Sequence, residues 1–489
     1  MELQLRRTKI IATLGPATDA PGMLDQILAE GVDIVRLNLS HGVPDDHRKR
    51  AADVRAAAKR LGRETAILAD LQGPKIRIER FGAGPVQLEP KQSFTLDCRE
   101  NAAPGDAARV GVSYHDLWRD VNPGDVLLLD DGLISLEVVD AKDEQVQCVV
   151  LAGGRLSDRK GINRLGGGLT VAALSDKDRA DIALTAELEA DFLAVSFVKT
   201  ADDIVQARTL LKAAGGTAGL VAKIERAEAI DNLTDIVEAS DAVMVARGDL
   251  GVEIGDAELP GLQKKIIREA LKCNRVVITA TQMMQSMVES PIPTRAEVLD
   301  VANAVLDGTD AVMLSEETAA GAHPDKAIAA MRRICLGAER QFEPKEDLAS
   351  ASHHMNRTDQ AIALAAMVLA GQLGVRAIVA LTESGATAQW LSRYRSAVPI
   401  YGMSPSAAAR RRMQVLRDVQ PVEFSHGEKQ SMAASTRAAV RLLFEQGKLV
   451  EGDSVVITYG DRIGHVGGTN TLKLLWVGPG GTVESLRDL

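Results

Sequence analysis

Aromatic residues are scarce in this chain: Phe, Trp and Tyr make up 3% of its 489 positions, although 46% of them are hydrophobic. A core of that size must be aliphatic, which suits buried parallel strands rich in Val, Ile and Ala. The four cysteines, Cys98, Cys148, Cys273 and Cys335, are scattered and form no C-x-x-C pair. That argues against a disulfide framework or a zinc site and for free thiols in a reducing compartment. Basic residues are not in excess: the formal net charge is -10, so a dedicated nucleic-acid binder is not expected. No apolar run is long enough to span a bilayer, and MELQLRRTKIIATLG at the N-terminus lacks the apolar stretch and cleavage site of a signal peptide. The expectation is a cytoplasmic, multidomain enzyme with no membrane or nucleic-acid partner.

What the chain does have is a recurring unit. Short Val/Ile/Leu/Ala runs at 8–14, 34–39, 66–71, 192–197, 219–225, 242–247, 276–281 and 311–315 alternate with amphipathic segments. Strand–helix alternation implies right-handed βαβ units, and eight of them predict an α/β fold of the (β/α)8 barrel type. The spacing between the third and fourth runs is far longer than the others, so about a hundred residues are inserted there. The insert has short alternating runs (VQL, SFTLD, DVLLLDD, LISLEVVD, QVQCVVL) and turn signals at N-P-G-D (122–125) and D-D-G (130–132). It reads as an all-β lid, a small β-barrel, on the catalytic face. After about residue 343 the α/β pattern restarts with about five strands. The predicted domains are 1–70 with 169–343, the inserted 71–168, and 344–489.

In such a barrel, chemistry sits at the carboxyl ends of the strands. Those ends carry Arg36, Asn38, Ser40, Asp70, Lys223, Glu225, Arg247, Asp249, Thr281, Ser315 and Glu316. Any one of them alone is a solvated strand end. Together they are costly in a barrel mouth unless paired or metal-bound. Lys223 and Glu225 lie two apart on one strand and point the same way. Asp249 ends the next strand, so Glu225 and Asp249 can share a cation, and two carboxylates plus substrate oxygens make a Mg²⁺ site. A structural Lys223–Asp249 ion pair is the competing reading. Gly248 lets backbone amides approach an anion. These residues alone point to a magnesium enzyme acting on a phosphorylated or carboxylated small anion.

The stretches TKIIATLGPAT, VRLNLSHG, ADLQGPKIR, DDGLISLEV, RKGIN, VAKIERAEAIDN, MVARGDLGVEI, TATQMMQSM, PTRAEVLDVANAVLDGTDAVMLSEETAAG and GGTNTLKLLWVG resemble the pyruvate kinase family. The resemblance covers the barrel, the insert and the end of the C-terminal region. It implies transfer of the phosphoryl group of phosphoenolpyruvate to ADP, a homotetramer, and a regulatory role for the C-terminal domain. It also implies Mg²⁺ (or Mn²⁺) on Glu225 and Asp249. Lys223 and Arg36 would act on the phosphoryl group, the Gly248 and Asp249 amides on the substrate carboxylate, and Thr281 on protonation of the enolate. Asn38, His41, Arg77 and Lys160 resemble residues near the nucleotide phosphates. Asn38, Ser40 and Asp70 resemble residues that hold potassium in many members.

The chain departs from many members at ADLQGPKIR: Lys75 stands where potassium-dependent members carry glutamate. That resembles the potassium-independent branch, and implies that the Lys75 ammonium serves the Asn38–Ser40–Asp70 pocket in place of K⁺. In LTESGATA, Ser384, Gly385 and Thr387 resemble a loop that grips an effector phosphate. Glu383 replaces a lysine found in members activated by fructose 1,6-bisphosphate, so a phosphorylated small molecule such as a sugar monophosphate or AMP is expected instead. The rival readings are a metal-dependent carbon–carbon lyase on the same barrel and an inactive effector-binding relative. Lys223, the insert and the C-terminal domain weigh against the first, and the complete residue set against the second.

Overall fold

The computed structural model describes residues 5–341, 357–396, 398–425, 431–461 and 467–484. The expected domain boundary at 343/344 lies outside the described residues. Eight parallel strands close into a barrel: Lys9–Thr13, Ile34–Asn38, Ala66–Asp70, Phe192–Val195, Gly219–Ile224, Ala242–Ala246, Val276–Ala280 and Ala311–Leu314. Pairing of Lys9 with Ala311 and of Ile10 with Val312 seals the ring. Six of these strands are buried at every residue, which is why they read as continuous apolar runs instead of alternating ones. Helices return the chain between strands. Two start at capping boxes, Ser175 with Asp178 and Thr294 with Glu297, where side chains satisfy otherwise orphaned amides.

Alternate strand residues serve two apolar clusters. Ile10, Ala12, Val35, Ile67 and Val243 pack under the helices. Ile11, Ile34, Leu68, Met244, Ile278 and Met313 belong to a cluster that runs on into Ile378, Leu391 and Leu416 of the C-terminal domain. That domain therefore covers the amino-terminal end of the barrel. Lys9, 1% exposed, donates its ammonium to the Val419 carbonyl at 2.6 Å. Arg393 donates to the Arg275 carbonyl at 2.7 Å and to Asp310 Oδ2 at 2.9 Å, both just ahead of barrel strands. The carboxyl ends of the strands are left for chemistry.

The C-terminal sheet runs in the order Val419–Glu423, Ile400–Ser404, Ala377–Leu381, Ser454–Gly460, Thr469–Val477, Val483–Glu484. The first four are parallel and the last two antiparallel. Five of these strands match the expectation; the sixth has two residues, too few for a periodic signal. The insert forms a six-stranded sheet plus a separate two-stranded one, not one closed ring of hydrogen bonds. Its strands Arg109–Gly111, Gly154–Leu156 and Ile162–Arg164 were not read from the sequence, because RVG, GRL and INR lack the apolar–polar–apolar order that marked VQL, the strand Val86–Leu88. Among the described residues no helix is long and apolar enough to cross a membrane.

The Arg393–Asp310 pair is buried on both sides, with side-chain exposures of 6% and 2%. Removing one partner leaves the other charge buried. Arg393→Ala is expected to cost about 3–5 kcal/mol, read as a lower urea midpoint for the barrel with an unchanged m-value.

Candidate active site

At the carboxyl end of the barrel, four charged side chains form one chain of contacts. Arg36 Nε donates to Asp70 Oδ2 at 2.6 Å, and Arg36 Nη1 to Thr13 Oγ1 at 3.2 Å. Lys223 Nζ lies 3.4 Å from Asp70 Oδ1 and 2.8 Å from Glu225 Oε1. It also donates to Ser196 Oγ at 2.8 Å. Glu225 Oε2 accepts the Phe197 amide at 2.8 Å. Asp70 and Glu225 are 0% and 1% exposed.

Burial opposes the charges of Asp70, Lys223 and Glu225, and its balance with their neighbours decides each outcome. For Asp70, burial pushes upward but Lys223 and Arg36 outweigh it, and the carboxyl falls below its usual range. Burial would strip the Lys223 proton, but Asp70 and Glu225 hold it more firmly than usual. For Glu225, burial dominates and the nearby Asp249 charge adds to it; Lys223 pulls the other way and loses, so the carboxyl is raised. Glu225 feels the Asp249 charge, and two neighbouring carboxylates are the oxygen donors a hard dication takes, so the residue types fit Mg²⁺. Among the described residues no group of three or more His, Cys, Asp or Glu is suited to a metal ion.

The helix Arg247–Ile254 begins directly at the end of strand Ala242–Ala246 and carries Gly248 and Asp249 in its first turn. The Gly248 amide donates to Thr281 Oγ1 at 2.8 Å, and Thr281 Oγ1 to the Ala280 carbonyl at 2.7 Å. Thr281 sits at φ +66°, an unusual backbone state for a β-branched residue. Two buried groups hold that loop. Arg247 Nη2 donates to the Thr281 carbonyl at 2.9 Å, and Glu317 Oε1 accepts the Met284 amide at 3.1 Å. The Lys223–Asp249 ion pair weighed as a competing reading is not formed; Lys223 is taken by Glu225 and Asp70.

Lys75 is where expectation and structure part. Its ammonium lies 2.9 Å from Asp249 Oδ1 and 3.9 Å from Asp131 Oδ1 of the insert. It does not join Asn38, Ser40 and Asp70. Gly73 explains the path: it takes φ +68°, its amide donates to Asp178 Oδ1 at 3.0 Å, and a Cβ there would come within 2.7 Å of Phe197 and Ser196 side chains. The chain is thereby turned across the mouth, away from its own strand end. Asn38 Oδ1 instead accepts the Ser40 amide at 3.2 Å, and both Asp70 oxygens face Arg36 and Lys223.

The remaining expected residues lie further out. His41 is exposed, and its carbonyl contacts the buried His47 ring at 3.0 Å. Arg77 Nη1 donates to the Arg159 carbonyl at 2.9 Å, and Lys160 Nζ is 2.7 Å from Asp130 Oδ1. Arg77 and Lys160 thus sit on the two segments that connect the barrel to the insert, joined by the Arg77–Gly161 bridge. In the C-terminal domain, Gly385 takes φ +89° ahead of helix Ala386–Arg393, and its amide donates to Thr382 Oγ1 at 3.0 Å. Thr387 Oγ1 lies 2.6 Å from Thr469 Oγ1, and Ser384 is exposed. Sequence reasoning missed Ser196, Arg247's hold on Thr281, and Glu317. Ser196 directly follows the fourth barrel strand, Phe192–Val195, and was visible by the same strand-end rule as the others.

Residues 5–328 match the family described as pyruvate kinase, barrel domain, and residues 360–475 the one described as pyruvate kinase, alpha/beta domain. Pyruvate kinase II of Salmonella typhimurium is 50% identical over 481 residues, which cover 98% of this chain and 100% of that one. The pyruvate kinase of Haemophilus influenzae is 48% identical across 94% of this chain and 97% of its own. Among solved structures, a pyruvate kinase from Cryptosporidium parvum aligns with a TM-score of 0.90 at 32% identity, covering 96% of both chains. Barrel, insert and C-terminal domain are all spanned by these matches, and the chain belongs to the pyruvate kinase family of phosphotransferases.

Proposed function

We propose that this chain performs the family reaction with the residues just described, moving the phosphoryl group of phosphoenolpyruvate to ADP. The P–O bond to the enol oxygen breaks and one to a terminal oxygen of ADP forms. The enolate left behind then takes a proton at its methylene carbon to become pyruvate. The observation that carries this assignment is Lys223 held between Asp70 and Glu225, with Arg36 on the same Asp70. Two cations fixed in a buried row need no reorganisation when charge spreads over the phosphoryl oxygens. The family generally uses Mg²⁺, which Glu225 and Asp249 would hold here, with Mn²⁺ as the alternative; when bound it adds positive charge beside the phosphoryl and enolate oxygens. The Thr281 hydroxyl, fixed between the Gly248 amide and the Ala280 carbonyl, is assigned to the enolate's proton. The Gly248 amide is shared with Thr281, so carboxylate binding and Thr281 orientation are coupled. Asn38, His41, Arg77 and Lys160 are assigned to the nucleotide phosphates, and the assembly to a homotetramer.

Potassium is proposed to be dispensable, for a reason that differs from a simple ion replacement. Asp70 already faces two cations, and Lys75 adds a third positive centre at Asp249. The mouth therefore needs no monovalent ion to balance its carboxylates. The C-terminal loop of Ser384, Gly385 and Thr387 is assigned to one phosphate of an activating sugar monophosphate or AMP. Glu383 beside it repels a second phosphate.

Lys223→Met should lower kcat by about 10²–10³-fold, with the KM for phosphoenolpyruvate changed far less, in a coupled pyruvate assay on folded protein. A kcat within tenfold of the parent would remove Lys223 from the chemistry. In tetramethylammonium buffer the parent should match its rate in potassium, while Lys75→Glu should become potassium-dependent. A parent that is inactive without potassium would refute the dispensability of the ion. Ribose 5-phosphate or AMP should lower the half-saturating phosphoenolpyruvate concentration, and fructose 1,6-bisphosphate should not. Activation by the bisphosphate alone would overturn the assignment of the loop.

A further inference from the structure

Glu253 lies outside every role assigned above, yet it touches three parts of the active-site frame. It lies in the last turn of the helix Arg247–Ile254, whose first turn holds Gly248 and Asp249, and it is 2% exposed. Its Oε2 accepts the amide of Ala227, two residues past Glu225, at 2.9 Å. Its Oε1 accepts the side-chain amide of Asn163 at 3.4 Å, on the last strand of the insert, Ile162–Arg164. Its backbone carbonyl accepts the Gly166 amide at 2.8 Å.

The segment it grips is built to bend. Gly166, Gly167 and Gly168 follow one another at φ +83°, +74° and +94°, a run that side-chain-bearing residues rarely adopt. At Gly167 a Cβ would come within 2.6 Å of Glu228 Oε2. Beyond the bend, Glu228 Oε1 accepts the Gly168 amide at 2.7 Å, and Arg226 Nη2 donates to the Leu169 carbonyl at 3.0 Å. Glu253 is the only one of these straps whose carboxylate reaches a side chain of the insert itself and whose helix carries the metal-site aspartate.

We propose that Glu253 is a positioning residue: it ties the return strand of the insert to the helix of Gly248 and Asp249, so that insert position and substrate-site geometry move together.

The tie responds to pH. Burial, aided by the Glu228 charge, pushes the Glu253 carboxyl up to about 7, against the Ala227 amide, Arg226 and the Asn163 amide. The other charge on its strand neighbour, Arg164, is engaged by Asp125 at 2.9 Å and by the Gly167 carbonyl at 2.8 Å. The helix that follows packs the apolar Leu259 against Gly251. The tied form thus favours the protonated acid, while an opened form with Glu253 in water regains the ordinary value of 4.5. Opening releases a proton, so it becomes easier as pH rises between those two values and levels off above the upper one.

Hydrogen exchange of the amides of Gly166, Gly167 and Gly168, corrected for intrinsic rates, tests this. In the parent, the opening constant should rise about twentyfold from pH 5.5 to 7.5, and the KM for phosphoenolpyruvate should rise over the same range with kcat nearly level. Glu253→Gln should flatten both profiles. Asn163→Ala, which leaves the carboxyl in place but cuts its hold on the insert, should speed exchange at the three glycines at all pH values and leave barrel amides unchanged. It serves as the independent arm if the glutamine variant does not fold. Parent-like pH steps in both exchange and KM for Glu253→Gln would overturn the proposal. So would unchanged glycine exchange in Asn163→Ala.

Discussion

The buried carboxylate Asp70 is the constraint around which this site is arranged. A charge with no exposure to water must be matched within the protein. Arg36 and Lys223 match it from the two flanking sides, and Lys223 in turn needs Glu225. The result is a row of alternating charge across the barrel mouth, in which Asp70 and Lys223 hold each other ionised while burial pushes Glu225 toward neutrality. A row of this kind cannot relax when a reacting group arrives, because its members are already held by one another. That rigidity is what phosphoryl transfer requires of its cationic groups.

The rest of the molecule can be understood as keeping that row in place while letting substrates reach it. The C-terminal domain closes the amino-terminal end of the barrel through Lys9, Arg393 and a shared apolar cluster. The insert approaches from the opposite end through two segments, one leading past Lys75 and one returning through Asn163. Each makes a polar contact with the helix Arg247–Ile254: Lys75 with Asp249 in its first turn and Asn163 with Glu253 in its last. One short helix therefore receives both connections of the insert while carrying Gly248 and Asp249.

Much of this was legible in the residue order. The eight barrel strands were visible because buried parallel strands are continuous aliphatic runs, and the insert because one spacing was too long for a βα unit. The residues at strand ends were visible because a barrel places its chemistry there. Three kinds of feature were not. Three-residue edge strands such as Arg109–Gly111 carry no period. Supporting residues such as Glu317 and Glu253 act from helices, where an isolated glutamate looks like a solvated charge. The partner of Lys75 depended on the direction taken after Gly73, which no local pattern reports.

By itself, then, the sequence determined which residues stand at the strand ends and that they belong to one barrel, since strand period and strand length are local properties. Which charge meets which was decided only by the closed tertiary structure. Lys75 is five residues from Asp70 in the chain and 174 from Asp249, yet it pairs with Asp249. The physical reason is steric: the left-handed Gly73, packed against Ser196 and Phe197, leaves the chain one way out of the strand, and that way leads across the mouth.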